Sequence, residues 1–195
     1  GERRIFNALE NLFPGKNYYA IHSVGLANHK TKRQAEADFV LVTDFGIFCI
    51  EVKGGSVIRK EDGLWEYSGA DNKTDSPFRQ AELTVYPIED LLSASDKKKR
   101  NLFVTGWGVI FPDITFTESD PEWSPFQLCD QRDFPHNLEN YIRGLGQDFT
   151  ERLATRKGFK IRKHVTVDDM KWAVKKIRPD FAHFSLNELE NSREE

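Results

Sequence analysis

The chain has 195 residues, with 28 Lys and Arg against 31 Asp and Glu, and a formal net charge of −3 at pH 7. Hydrophobic residues make up 38% of the sequence, which is enough for a buried core and excludes global disorder. No apolar run approaches the roughly 18 residues of a membrane-spanning helix. The two cysteines, Cys49 and Cys129, are too few for a zinc cluster or a disulfide framework, so we expect a reduced, cytoplasmic protein.

The predicted elements alternate between helices and strands, which indicates a mixed α/β domain. Ser76 is a predicted N-cap and Pro77 the first residue of its helix. We expect Pro87 to bend or split that helix, and Gly144 and Gly146 to end a later one. The predicted order is a helix at 5–13, strands at 18–24, 37–42 and 47–53, a hairpin at 57–67, a helix from 77, a strand at 102–111, an irregular segment at 115–135, and helices at 137–145 and 167–177.

The turn at 43–46 joins two predicted strands into a hairpin that carries four charged residues. A symmetric register places Asp38 opposite Glu51, and Glu36 opposite Lys53. All four share one face because strand side chains alternate, and opposed Cβ atoms lie roughly 5 Å apart. Carboxylates this close repel each other, so we expect a divalent cation such as Mg²⁺ or Mn²⁺ between them. Lys53 is placed to bind a phosphate oxygen or to orient an attacking water.

An acidic residue of the first helix is a further candidate for this site. Glu2 falls on the same helix face as Ile5, Phe6 and Leu9, so we expect it to point inward. It would then be another metal ligand or would hold a metal-bound water. Glu10 lies toward the edge of that face and is the weaker candidate. The alternative for all these acidic residues is that they are solvated and have no chemical role.

The segments Glu36–Val42 and Gly46–Gly55 resemble the nuclease-related domain (NERD) family of the PD-(D/E)XK nuclease superfamily. Gly1–Arg4 and Ser76–Ala81 add weaker similarities, and the resemblance covers about residues 1–112. It implies a restriction-endonuclease-like core, in which helices flank a central mixed β-sheet. Residues 113–195 would be a mostly helical or irregular extension of that domain and a connector to a following one.

The resemblance also implies the roles of the residues in the hairpin. Asp38 and Glu51 would bind the metal ion, together with the backbone carbonyl of Val52. Lys53 would stabilise the pentavalent phosphate or position the nucleophilic water. This assignment agrees with the charges found from the strand pattern, since phosphodiester hydrolysis needs an activated water and a positive charge for the developing oxyanions.

Two further roles follow from the resemblance, together with three departures from the family pattern. Glu2 would match the acidic residue of the first helix, and Gln80 the helix glutamine near the active site. Gly54 stands where a polar residue is expected after the lysine, and Phe39 where a histidine is common. Thr84 replaces the tyrosine that follows the glutamine in exonuclease-type members. None of these departures removes an expected metal ligand.

The predicted function is metal-dependent hydrolysis of duplex or single-stranded DNA. The alternative is a catalytically inactive DNA-binding or interaction module that regulates an attached helicase, and an RNA substrate also stays open. The tail at 175–189 resembles the connector before a superfamily-1 helicase, so a fused helicase is a predicted partner. No interaction with a membrane is predicted. Basic residues at 97–100 and 152–163 are candidate phosphate contacts.

Overall fold

The computed structural model describes residues 2–27, 34–68, 75–96, 99, 101–156 and 164–179. The side chain of Glu2, most of the basic residues at 97–100 and 157–163, and the end of the predicted connector lie outside the described residues. Lys99 is described, and its ammonium pairs with Asp169 at 2.8 Å. No helix in these ranges has both the length and the apolar character needed to cross a bilayer.

Except for one additional short strand within residues 115–135, helices and strands follow one another in the predicted order. Their bounds are α1 Glu2–Glu10, β1 Tyr19–Ala27, β2 Gln34–Thr43, β3 Gly46–Val52, β4 Val57–Arg59, β5 Trp65–Tyr67, α2 Pro77–Ser95, β6 Thr105–Phe111, β7 Leu128–Asp130, α3 Leu138–Ala154 and α4 Val167–Ile177. Five strands form a sheet in the order β1-β2-β3-β6-β7, and β4 and β5 form a separate hairpin. Helices flank this mixed sheet, which confirms the predicted α/β class with a restriction-endonuclease-like core.

The pairing of the central strand β3 determines which strand ends lie together. It pairs antiparallel with β2 and parallel with β6, which in turn pairs parallel with β7. The predicted hairpin register is confirmed from Thr43–Gly46 to Phe39–Ile50. Since β3, β6 and β7 run in the same direction, their carboxyl-terminal ends lie along one edge of the sheet.

Two hydrophobic clusters cover the two faces of β3, and all seven of its residues are buried. Ile47 and Cys49 belong to the cluster formed with α2 and α4. Phe48 and Ile50 belong to the cluster formed with α1 and α3. Alternation along the strand therefore places Glu51 on the α2 face, at the end of an otherwise apolar run.

Helix α3 continues past the glycines that were predicted to end it. Gly144 and Gly146 both lie within Leu138–Ala154, so that prediction is wrong. A Cβ at Gly146 would come within 2.7 Å of the Phe45 ring, so glycine permits this close approach. Burial of Ile142 and Leu145 on the same helix stabilises it by more than the roughly 1 kcal/mol that a glycine costs.

Helix α2 begins as predicted but is not divided at its proline. The Ser76 hydroxyl accepts a hydrogen bond from the backbone N–H of Arg79 at 3.2 Å, which confirms the N-cap. Pro87 lies inside the continuous helix Pro77–Ser95. Phe78 and Ile88, on either side of Pro87, are fully buried, and this packing holds the helix together despite the missing N–H.

Strand β7 lies in the segment that was predicted to be irregular. It has three residues, too few for a hydrophobic period to be recognised, and it forms because it pairs with the end of β6.

The central residue of β7 is Cys129. This cysteine and Cys49 are free and buried, as expected from their number, and burial raises the pKa of both thiols to about 12.

Removal of one ring should show how far the fold depends on the aromatic cluster beside α2. The Phe78 ring stacks on Trp123 with centroids 4.1 Å apart. Phe78→Ala should lower the free energy of unfolding by about 3–5 kcal/mol, measured by urea denaturation. Leu83→Ala, on the exposed side of the same helix, should change it by less than about 0.5 kcal/mol. Equal losses in the two variants would contradict this account.

Candidate active site

Asp38 lies where the ladder between β2 and β3 ends. The last backbone pair is Phe39–Ile50, and Asp38 precedes it on β2. Its Oδ2 atom accepts a hydrogen bond from the backbone N–H of Val52 at 2.7 Å. This bond holds the Asp38 carboxylate beside Val52, the residue that follows Glu51. The predicted proximity of Asp38 to the acidic end of β3 follows from a side-chain bond rather than from a further backbone pair.

Glu51 and Lys53 form an ion pair at the carboxyl-terminal end of β3. The Lys53 ammonium donates a hydrogen bond to Oε1 of Glu51. Glu51 is only 5% exposed, so its charge requires compensation of this kind. The Lys53 Nζ atom also lies 5.5 Å from the centroid of the Tyr67 ring. The predicted closeness of the lysine to Glu51 is therefore present in the fold.

Glu36 does not take the place that the extended register assigned to it. It is exposed, pairs with Gly25 of β1, and accepts a hydrogen bond from the Ser23 hydroxyl at 2.6 Å. Strand β3 ends at Val52, and the backbone N–H of Lys53 donates to the carbonyl of Ile110 on β6. The extended register fails here because the backbone N–H of Val52 donates to the Asp38 carboxylate rather than to a backbone carbonyl of β2.

Helix α1 packs on the sheet face opposite Glu51. Ile5 and Leu9 are buried in the cluster with α3, as predicted, whereas Phe6 is 44% exposed. The inward face of α1 is therefore narrower than the sequence pattern indicated. The backbone of Glu2 begins this helix, but the predicted inward direction of its side chain concerns atoms outside the described part of the chain. Glu10 is exposed.

The start of α1 nevertheless lies at the sheet edge where β3 ends. Asp113, which follows β6, connects the two. Its Oδ1 atom accepts from the Arg4 guanidinium at 2.6 Å, and its Oδ2 atom accepts from the backbone N–H of Gly55 at 2.8 Å. Gly55 comes two residues after Lys53. The first turn of α1 is thus tied, through one carboxylate, to the loop that leaves the ion pair.

The start of α2 is tied to the same region by Tyr67. The Tyr67 hydroxyl donates to the backbone carbonyl of Asp75 at 2.7 Å, directly before the N-cap of the helix. Gln80, in the first turn of α2, is half-buried. The fold brings the beginning of this helix toward Lys53, while a role for Gln80 stays a prediction.

The donors at this edge suit a hard divalent cation. The described residues contain no group of three or more His, Cys, Asp or Glu side chains that could hold a metal ion. Asp38, Glu51 and the carbonyl of Val52 make a smaller set, composed of oxygen atoms only. Mg²⁺ is commonly bound by one or two carboxylates and completes its shell with water and substrate phosphates. The chemistry of the three donors therefore fits Mg²⁺ or Mn²⁺.

A cavity of about 350 Å³ lies at the carboxyl-terminal end of β7, on the edge of the sheet that also carries Glu51. Asp130 is 2% exposed, pairs with Arg132 at 2.7 Å, and accepts from the backbone N–H of Phe116 at 2.9 Å. Burial raises the pKa of Asp130, but these hydrogen bonds outweigh it and hold the pKa below its usual value. The cavity is lined by Phe116, Thr117, Glu118, Ser119, Trp123, Pro125, Leu128, Asp130, Arg132 and Asp133.

Sequence reasoning missed several residues of this edge. Tyr67 could have been found, because the predicted hairpin at 57–67 returns it opposite Val57, close in the chain to Lys53. Asp130 and Arg132 gave no such signal, since β7 was not predicted.

The model of the nuclease-related domain family matches residues 1–111. The chain belongs to this family. The matched segment runs from α1 to the end of β6 and includes Asp38, Glu51 and Lys53, so the resemblance drawn from the sequence is confirmed and indicates a nuclease-related function. No curated protein and no solved structure matches the chain. Strand β7 and helices α3 and α4 lie beyond the residues matched to the NERD family, yet they complete the sheet and its two covering layers.

The pH dependence of stability should reveal the Asp130 carboxylate. Its folded pKa lies below the unfolded value of about 3.9, so its contribution is present above that value and is lost as the pH falls through the folded pKa. Asp130→Asn should lower the free energy of unfolding by about 1–3 kcal/mol at pH 7. In urea denaturation the difference from wild type should shrink as the pH falls to about 2.

The control is Glu118→Gln, which changes an exposed carboxylate of the same cavity. It should change the free energy of unfolding by less than about 0.5 kcal/mol. A difference for Asp130→Asn that stays constant down to pH 2 would contradict the assignment.

Proposed function

We propose that this NERD domain hydrolyses phosphodiester bonds of DNA with the help of Mg²⁺ or Mn²⁺. Asp38, Glu51 and the carbonyl of Val52 would hold the ion. The observation that carries this proposal is the hydrogen bond from the Val52 N–H to Asp38, which brings a second carboxylate to the buried end of β3 beside Glu51. Lys53 stands at the same place as the positive charge.

The residues divide the work of hydrolysis between them. When bound, the ion would lower the pKa of a water molecule and offset negative charge. Asp38 is oriented by the Val52 amide, and Glu51 by the Lys53 ammonium. Lys53 would donate a hydrogen bond from Nζ to a non-bridging phosphate oxygen or to the attacking water. A charge placed beforehand where negative charge develops stabilises the transition state most effectively in a site shielded from solvent.

Two more residues belong to the proposal. Glu2 begins α1, which Arg4 and Asp113 tie to the loop after Lys53, so its carboxylate would serve as a further ligand or hold a water. Gln80 lies in the first turn of α2, the helix that packs on the Glu51 face of the sheet, and would hydrogen-bond the substrate. Duplex or single-stranded DNA would be the substrate, and a fused superfamily-1 helicase would supply it.

Metal binding should be visible without any cleavage. Mn²⁺ should raise the free energy of unfolding of the wild-type protein, by about 2.7 kcal/mol at a concentration one hundred times its dissociation constant. Asp38→Asn and Glu51→Gln should abolish this gain because each removes a charged ligand. The measurement is thermal or urea denaturation over a Mn²⁺ series. Glu66→Gln, on the exposed side of the β4–β5 hairpin, should keep the full gain. The same gain in all four proteins would overturn the ligand assignment.

Cleavage should require the metal ion and the ion pair together. Linear, circular, single-stranded and duplex DNA, and RNA, are incubated with Mg²⁺, Mn²⁺ or EDTA. Glu51→Gln and Lys53→Met should each reduce the cleavage rate by about 100-fold or more. The matched controls are Glu66→Gln and Lys60→Met, which break a second Glu–Lys pair in the exposed hairpin and should cleave at the wild-type rate.

The outcomes of the cleavage assay distinguish a nuclease at this site from an inactive binding module. Metal-dependent cleavage that is lost in both site variants supports the proposal, and the substrate cleaved decides between DNA and RNA. Cleavage that survives both variants places the reaction elsewhere. Metal binding and DNA binding without cleavage would favour the inactive binding module.

A further inference from the structure

Lys53 makes two contacts, only one of which the proposed mechanism uses. Its ammonium donates to the Glu51 carboxylate. Its Nζ atom also lies 5.5 Å from the centroid of the Tyr67 ring, within the range of a cation–π contact. A lysine has a long flexible side chain, so a single ion pair leaves it free to swing about the carboxylate. A second contact restricts that motion.

Tyr67 is itself held in place. It lies at the end of β5, paired with Val57 of β4. Its hydroxyl donates to the backbone carbonyl of Asp75 at 2.7 Å, which bridges the hairpin to the start of α2. Burial, and then the neighbouring Glu51 carboxylate, raise the pKa of Tyr67 above its usual value. The phenol therefore keeps its proton at neutral pH and stays the donor of this hydrogen bond.

We propose that Tyr67 is a positioning residue for the proposed reaction: its ring holds the Lys53 ammonium at the end of β3 and aims it toward the substrate phosphate. This inference rests on the proposed function. The ring attracts the ammonium without accepting a strong hydrogen bond from it. Lys53 therefore keeps donors for a phosphate oxygen or a water, which a second carboxylate in place of Tyr67 would compete for.

The contact is tested first by a double-mutant cycle on stability, which needs no activity. Tyr67→Leu, Lys53→Met and the double variant are unfolded in urea. The two changes should be non-additive, with a coupling on the order of fivefold in the unfolding equilibrium constant. Tyr86→Leu, a half-exposed tyrosine on the outer side of α2, is the control and should show no coupling to Lys53→Met. Additive effects for Tyr67 would overturn the proposal.

The positioning role is tested next by cleavage kinetics. Tyr67→Leu should reduce the cleavage rate at saturating DNA by about tenfold to a hundredfold, because the lysine loses its alignment. Tyr67→Phe keeps the ring and should restore the rate to within about threefold of wild type. DNA affinity, measured with Ca²⁺ in place of Mg²⁺, should be the same in all three proteins. Wild-type cleavage by Tyr67→Leu, despite the coupling in stability, would overturn the positioning role.

The cleavage assay and the double-mutant cycle test the proposed function and the role of Tyr67 independently of each other. If the wild-type protein cleaves none of the substrates, the proposed function is overturned and the stability cycle alone decides whether Tyr67 holds Lys53. If the wild-type protein cleaves and the cycle shows no coupling, the proposed function stands and the role of Tyr67 is rejected.

Discussion

A carboxylate at the buried end of the central strand is the constraint on which this structure depends. Glu51 is the last residue but one of a strand that is covered on both faces, and its charge cannot remain there without compensation. Lys53 supplies the countercharge, and the Tyr67 ring lies against that lysine. The backbone N–H of Val52, the residue after Glu51, donates a hydrogen bond to the Asp38 carboxylate and holds it at the same strand end. Two negative charges and one positive charge are thereby concentrated at one edge of a hydrophobic sheet.

The surrounding elements are tied to this edge by side chains that bond to backbone atoms. Asp113 joins the loop after Lys53 to α1, and the Tyr67 hydroxyl joins the β4–β5 hairpin to α2. Asp130 closes the segment after β6 in the same way, through the amide of Phe116. Arg59, which pairs with Asp120, links that segment to the hairpin. Such bonds satisfy backbone groups that the irregular loops would otherwise leave unpaired.

The small number of acidic ligands has a consequence for the proposed chemistry. A site with two carboxylates binds a hard cation through a shell that water and substrate phosphates must complete. Metal and DNA would then favour each other's binding, because each fills positions that the other leaves open. Membership in the NERD family indicates a nuclease-related function. The proposed hydrolysis of phosphodiester bonds is compatible with it and would use this donor set.

Local signals in the chain were sufficient for the α/β class, the hairpin register near Thr43 and the N-cap at Ser76. These features depend on alternation, turn residues and capping, which act over a few neighbouring positions. The same alternation placed Asp38, Glu51 and Lys53 on one face. It failed at Glu36, because it could not show that β3 ends at Val52 and that the Val52 N–H bonds to the Asp38 carboxylate instead of to β2 backbone.

Long-range packing decided the remainder. Helix α3 continues through two glycines because Ile142 and Leu145 on this helix are buried, and Gly146 permits the close approach of the Phe45 ring. The short strand β7 exists only as a partner of β6, so no pattern within its own three residues could predict it. Tyr67 reaches Lys53 because β5 pairs with β4, which returns Tyr67 opposite Val57, four residues after Lys53. Composition and periodicity determine which segments become helices and strands and which side of each is polar. Which polar groups meet depends on contacts between distant segments, and these form only when the hydrophobic faces are buried against one another.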